Sequence, residues 1–196
     1  MKIPIAVTLL VLLAGCGATP KESYYTLAAP PMDAAAAATT SVHVMLSSLP
    51  EAVDRNPMVV RTGPYQVDID DFHRWAEPLK AAIPRVLAAN IARDLGGARV
   101  TSGRGTAALP DYRVAVDVAR FDSSFGEGAA IDATWTVTPK TGPAVQGRTI
   151  ARAPAPSADH AGVASAHSRA LEKLAREIAE VISRRLSSPA PNARGG

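Results

Sequence analysis

Tyr112-Arg113-Val114-Ala115-Val116-Asp117-Val118-Ala119 is the stretch that decides how this chain folds. Tyr112, Val114, Val116 and Val118 fall at every second position, with Arg113, Ala115, Asp117 and Ala119 between them. A period of two belongs to a strand with one face buried and the other in water. The pattern returns at Ile131, Ala133, Trp135 and Val137, which alternate with Asp132, Thr134, Thr136 and Thr138. Asp122 to Gly128 separates the two runs and reads as a loop with two glycines, and Pro139 to Pro143 turns into a third strand, Val145 to Arg152. Sequential strands with short connections predict an antiparallel meander.

Downstream, Val163, Ala170, Leu171, Leu174, Ile178, Val181, Ile182 and Leu186 recur at helical spacing, predicting a helix over about 158–186. Glu172–Arg176 and Glu180–Arg184 fall four apart on its polar side. Upstream, Trp75, Leu79, Ile83, Val86, Leu87, Ile91 and Leu95 form a second apolar stripe, predicting a helix from about Arg74 to Leu95. Pro78 suits its first turn, Pro84 should kink it or start a new segment, and Gly96-Gly97 ends it. Tyr24 to Leu27 and Ser41 to Leu49 read as strands, and Met58 to Arg61 with Tyr65 to Ile69 as a hairpin-like pair around Thr62-Gly63-Pro64. Ala28 to Ser41, with five consecutive alanines, reads as a loop or a short helical turn. The expected fold class is α+β: a single domain, a largely antiparallel sheet with two long amphipathic helices packed on one face.

The ends of the chain differ from its middle. Lys2 is followed by an apolar run from Ile3 to Leu13, broken only by Pro4 and Thr8. The run is an export-signal core, too short for a bilayer span of about 20 residues. It closes on Leu13-Ala14-Gly15-Cys16, which resembles the lipobox of bacterial lipoproteins. That resemblance implies cleavage before Cys16, a diacylglycerol on its thiol and an acyl chain on its new amine. Cys16 is the only cysteine, so acylation would leave no thiol for a disulfide or a metal. The organisation expected is therefore a signal peptide over 1–15, an acylated tether over 16–23, one domain over 24–186 and a disordered tail over 187–196.

The net charge of +3 is too small to argue for nucleic acid. No phosphate-binding glycine loop, nucleophile elbow or zincin helix appears, so no enzyme and no cofactor beyond the acyl chains is expected. His43, His73, His160 and His167 are scattered; His160 and His167 stand about 10 Å apart along one helix, too far to share a metal. They read as solvated or rim histidines. Asp68, Asp70 and Asp71 form an acidic cluster without the ligand spacing of an EF-hand loop, and the reading preferred is that Asp70 or Asp71 caps the first helix. Phe121 to Gly128 carries two aromatics, Phe121 and Phe125, in a hairpin loop; they are candidate partner-contact residues, or else they tuck into the core.

Met58-Val59-Val60-Arg61-Thr62-Gly63-Pro64-Tyr65-Gln66-Val67-Asp68-Ile69 and Trp75-Ala76-Glu77-Pro78-Leu79 carry a further likeness. With the lipobox and Tyr24-Tyr25-Thr26-Leu27, and with Ala166-His167-Ser168-Arg169-Ala170-Leu171 near the end, the chain resembles the ABC-type transport auxiliary lipoprotein family. The resemblance covers Tyr24 to about Leu186 and brings no catalytic residue with it; only Cys16 transfers as a functional residue. It implies an accessory role beside MCE-domain proteins, whose tubes carry lipid between membranes, with the lipoprotein docking the tube and able to form a homo-oligomeric ring. Gly17, rather than aspartate, after the cysteine points to the periplasmic face of the outer membrane. The alternatives from other classes are a pilotin-like or assembly lipoprotein, a solute-binding module and a hydrolase.

Overall fold

A computed structural model describes residues 21–31, 39–103 and 109–187. Cys16, the signal peptide, the alanine run and the expected tail beyond Ser187 lie outside the described residues. The described elements are β1 (Ser23–Tyr25), β2 (Ser41–Ser48), β3 (Pro57–Gly63), β4 (Gln66–Trp75), α1 (Leu79–Asp94), β5 (Arg99–Ser102), β6 (Tyr112–Ser124), β7 (Gly128–Pro139), β8 (Val145–Ala153) and α2 (His160–Ser187). The α+β class holds, with a correction to the sheet. There are two sheets, ordered β1-β4-β3 and β5-β2-β6-β7-β8, and they are mixed. The meander β6-β7-β8 is antiparallel as expected. Beside it β2 runs parallel to both β5 and β6, and β1 runs parallel to β4. A parallel neighbour requires a crossover, and α1 within the long return from β2 to β5 supplies it.

The alternation in β6 and β7 sets the layer. Val114, Val116, Ile131, Ala133 and Val137 are almost completely buried, while Arg113, Asp117 and Thr134 are exposed. Both helices cover the buried face. Leu171, Leu174, Ile178 and Ile182 of α2 and Ile83, Val86, Leu87 and Ile91 of α1 all join one core with it. The expected Glu172–Arg176 pair forms at 3.4 Å, and Arg93 of α1 also reaches Glu172 at 3.0 Å, tying the helices together.

Several elements differ from the sequence expectation, among them β6, which runs on through Ser124 into the expected Asp122–Gly128 loop. The first helix begins at Leu79, not Arg74, because the strand β4 continues through Trp75. Pro78 holds an extended ψ of 133° and its carbonyl accepts the Ala81 and Ala82 amides, so the helix turns only after it. Pro84 lies within one continuous helix rather than dividing it. The bond it forgoes belongs to the carbonyl of Lys80, an exposed residue whose carbonyl water can serve. β5, a four-residue edge strand, carries too short a pattern to be read and was not anticipated.

Candidate functional site

At one end of the molecule β1, β4, the β6–β7 turn and the start of α2 converge, and their rings stack in two tiers. The inner tier is Trp75, Phe121 and His167. Phe121 stacks flat on His167 with centroids 3.8 Å apart, and Trp75 meets both rings edge-on. The outer tier is His73, His160 and Phe125, with Tyr25 beside it. His73 and His160 stack at 3.8 Å with planes 6° apart, and Phe125 stands perpendicular to His160 at 4.9 Å. Tyr25 lies 5.8 Å from His73 and 5.9 Å from His160.

Three sequence spacings build the tiers. Two residues along β4 separate His73 from Trp75, and two turns of α2 separate His160 from His167. The third spacing depends on an irregularity in β6. The register between β6 and β7 shifts between Val118 and Arg120. Beyond that bulge the buried phase moves from Tyr112, Val114, Val116 and Val118 to Phe121 and Ser123. Uninterrupted alternation would have pointed Phe121 at solvent. An inserted residue is how a strand changes which side chains face the core.

Phe121 is therefore corrected from a candidate contact residue to a core residue, 3% exposed. Phe125 keeps 43% of its surface exposed beyond its edge contact with His160. Two of the histidines are not solvated rim residues, His167 being completely buried and His43 5% exposed, whereas His73 and His160 are half-buried. His160 and His167 remain apart, as their spacing requires. The acidic cluster does not cap the first helix. Asp70 lies in the bulged part of β4, where its carboxylate accepts the Phe72 amide at 2.9 Å and contacts His73 Nδ1 at 2.8 Å and His160 Nε2 at 3.5 Å. Burial works to raise the Asp70 carboxyl, but those N–H donors outweigh it and hold it below the usual carboxylate value. Burial, followed by His73, pushes His160 below an ordinary imidazole, against the opposing pull of Asp70, Asp159 and Asp68. The aspartate that does cap a helix is Asp159, whose carboxylate accepts the Gly162 amide at 2.7 Å in the first turn of α2.

The inner tier also contains a serine and a histidine in contact, Ser123 Oγ lying 2.9 Å from His167 Nε2. In a catalytic pair an acid holds the Nδ1 proton, so that Nε2 is free to accept from the serine. Here His167 Nδ1 has no partner among the described residues. Leaving an N–H unpaired in the core costs more than leaving a lone pair, so the proton belongs on Nε2, donating to Ser123. That is the wrong tautomer for a base, and Phe121 covers the ring. Burial drives the His167 pKa down to about 3, with Asp122 opposing weakly, so the ring stays neutral. No sequence pattern points to this contact, since Ser123 and His167 are 44 residues apart.

Two crystal structures share the fold. One is described only as an uncharacterized protein; it is 20% identical, with a TM-score of 0.62, and the match covers 85% of this chain and 99% of that one. The other is a protein from Xanthomonas campestris, also 20% identical with a TM-score of 0.62, covering 86% and 99%. No curated protein matches the chain. The family model described as the ABC-type transport auxiliary lipoprotein component matches residues 25–179, from the strand that opens the fold to the last turns of α2. On that match, which spans nearly every element of the core, the chain belongs to the ABC-type transport auxiliary lipoprotein family.

Proposed function

We propose that this protein is a non-enzymatic docking subunit, acylated at Cys16 and held on the periplasmic face of the outer membrane, that engages the tube of an MCE-domain lipid transporter. The observation that carries the reading is family membership across residues 25–179. The lipobox at Leu13 to Cys16 supports the anchor, and Gly17 after it favours the outer membrane. Acyl chains and a short tether would hold the domain at high local concentration near a membrane-spanning partner, so modest contacts suffice. Phe125 is the contact residue we favour, because it is exposed on a tight turn yet braced by His160. Self-association into a ring would present the same patch repeatedly to a symmetric tube.

The test is capture of the organism's MCE-domain protein by the detergent-extracted full chain, with Phe125→Ala in parallel. Capture at micromolar concentration, weakened by Phe125→Ala, is the expected outcome. Failure to capture at tens of micromolar removes the transporter assignment, and undiminished capture by the variant removes only Phe125. Ser123→Ala should capture like the wild type, because the Ser123–His167 contact is a packing contact and no reaction passes through it.

A further inference from the structure

We infer that Asp70, His73 and His160 form a binding site for one divalent transition-metal ion of the zinc type. The three residues come from β4 and the first turn of α2, and their ligand atoms all lie within 4.8 Å of one another. Zinc bound tetrahedrally to nitrogen and oxygen at about 2.0–2.2 Å holds its ligand atoms about 3.3 Å apart. Asp70 Oδ2 stands 2.8 Å from His73 Nδ1 and 3.5 Å from His160 Nε2, on either side of that spacing. One carboxylate oxygen and two imidazole nitrogens thus already stand close enough together to share one ion.

The donor set selects the class of ion. Imidazole nitrogen suits zinc, nickel and copper, whereas calcium and magnesium require oxygen ligands. Three protein ligands leave a further position for water, and the side chains are shielded without being sealed, at 24%, 32% and 13% exposure for Asp70, His73 and His160. The positive end of α2 works against a cation at His160. Asp68, Asp70 and Asp159 all act on that ring and offset it. Chelation asks for one movement. The rings lie nearly parallel at 3.8 Å, so their lone pairs run side by side, and one imidazole must turn out of the stack to point at the same ion. The torsion involved is a broad two-fold one. A bound ion would join β4 of the small sheet directly to α2 of the main layer, strengthening a link that the described residues make through ring contacts and the Asp70–His160 contact.

The site is tested by titrating ZnCl2 into the detergent-extracted full chain, purified without a histidine tag, by calorimetry. One ion per chain with Kd on the order of micromolar is expected, together with a rise of a few degrees in melting temperature at excess zinc. His160→Asn and Asp70→Asn should each weaken binding at least about tenfold, while Asp71→Asn, at an exposed neighbour, should not. Circular dichroism establishes that each variant is folded. Nitrogen chemical shifts of the wild-type imidazoles supply a readout without mutation, and those of His73 and His160 should move on adding zinc. Absence of binding below about millimolar zinc, folded variants that bind like the wild type, or shifts confined to His43 and His167 would each overturn the assignment. None of these outcomes depends on whether the protein captures an MCE partner.

Discussion

An imidazole without water around it holds its proton poorly, and His167 is the case in this chain. Its folded pKa of about 3 lies well below the unfolded value of about 6.5. Above that unfolded value neither state takes the proton, and the burial is free of this cost. As the pH falls below it, the unfolded chain binds a proton that the folded chain refuses, so stability declines until the folded pKa is reached. The slope is about 1.4 kcal/mol per pH unit for one such group. Urea unfolding at steps between pH 6 and 4 should therefore show a steeper loss for the wild type than for His167→Asn, the difference approaching that slope. Parallel pH profiles for the two proteins would show that His167 reaches solvent. Trp75 belongs to the same tier and is 5% exposed. Trp75→Ala should cost about 3–5 kcal/mol, read as a lower urea midpoint with unchanged slope.

At the scale of an element, β8 shows how a strand can be fixed by what it lacks. Gly147 pairs with Trp135 across the β7–β8 ladder, and the indole lies over the glycine. A Cβ on Gly147 would stand 2.2 Å from the Trp135 ring. The ring itself cannot slide freely, because its Nε1 donates to Thr149 Oγ1 at 3.0 Å. Gly147→Ala should thus destabilise by about 1–3 kcal/mol through overpacking, although alanine is the better residue on backbone entropy alone. A melting temperature equal to or above the wild type would mean the indole has room to move. The same scale shows what sequence could reveal. β6, β7 and α2 were legible because each repeats its period over many residues: Val114, Val116 and Val118 on one side, Leu171, Leu174 and Ile178 on the other. The end of β4 was not, because Trp75 and Leu79 happen to fall four apart and continue the stripe of α1 backward into a strand. The bulge after Val118 left no mark in composition, so the phase of Phe121 could not be read. The meeting of Asp70, His73 and His160 was beyond reach for a different reason: 87 residues separate His73 from His160, and only the packing of α2 beside β4 joins them.

For the whole molecule, the question is what holds it at a membrane and whether the fold depends on that hold. Among the described residues no helix is long and apolar enough to cross a bilayer. Among the described residues the core extends from Leu27 to Ile182. Seven residues separate Cys16 from Ser23, where β1 begins, a span of at most about 25 Å when extended. β1 also carries Tyr25 into the outer ring tier, so Tyr25 lies within about 30 Å of Cys16 along an extended chain. A Cys16 anchor would join the fold at one end, and the expectation to test is that it adds nothing to the stability of the domain. Cys16→Ser should abolish acylation, leaving an uncleaved precursor or a soluble periplasmic domain. Where the cleaved domain is recovered, its melting temperature should agree with the wild type to within about a degree. Intact-mass measurement of wild-type protein extracted from membranes checks the first half: the mass should exceed that of residues 16–196 by a diacylglycerol and an amide-linked acyl chain. An unmodified mass would remove the anchor assignment outright. A large fall in melting temperature for the soluble form would show instead that the acylated segment packs on the domain, and that anchoring and folding are coupled.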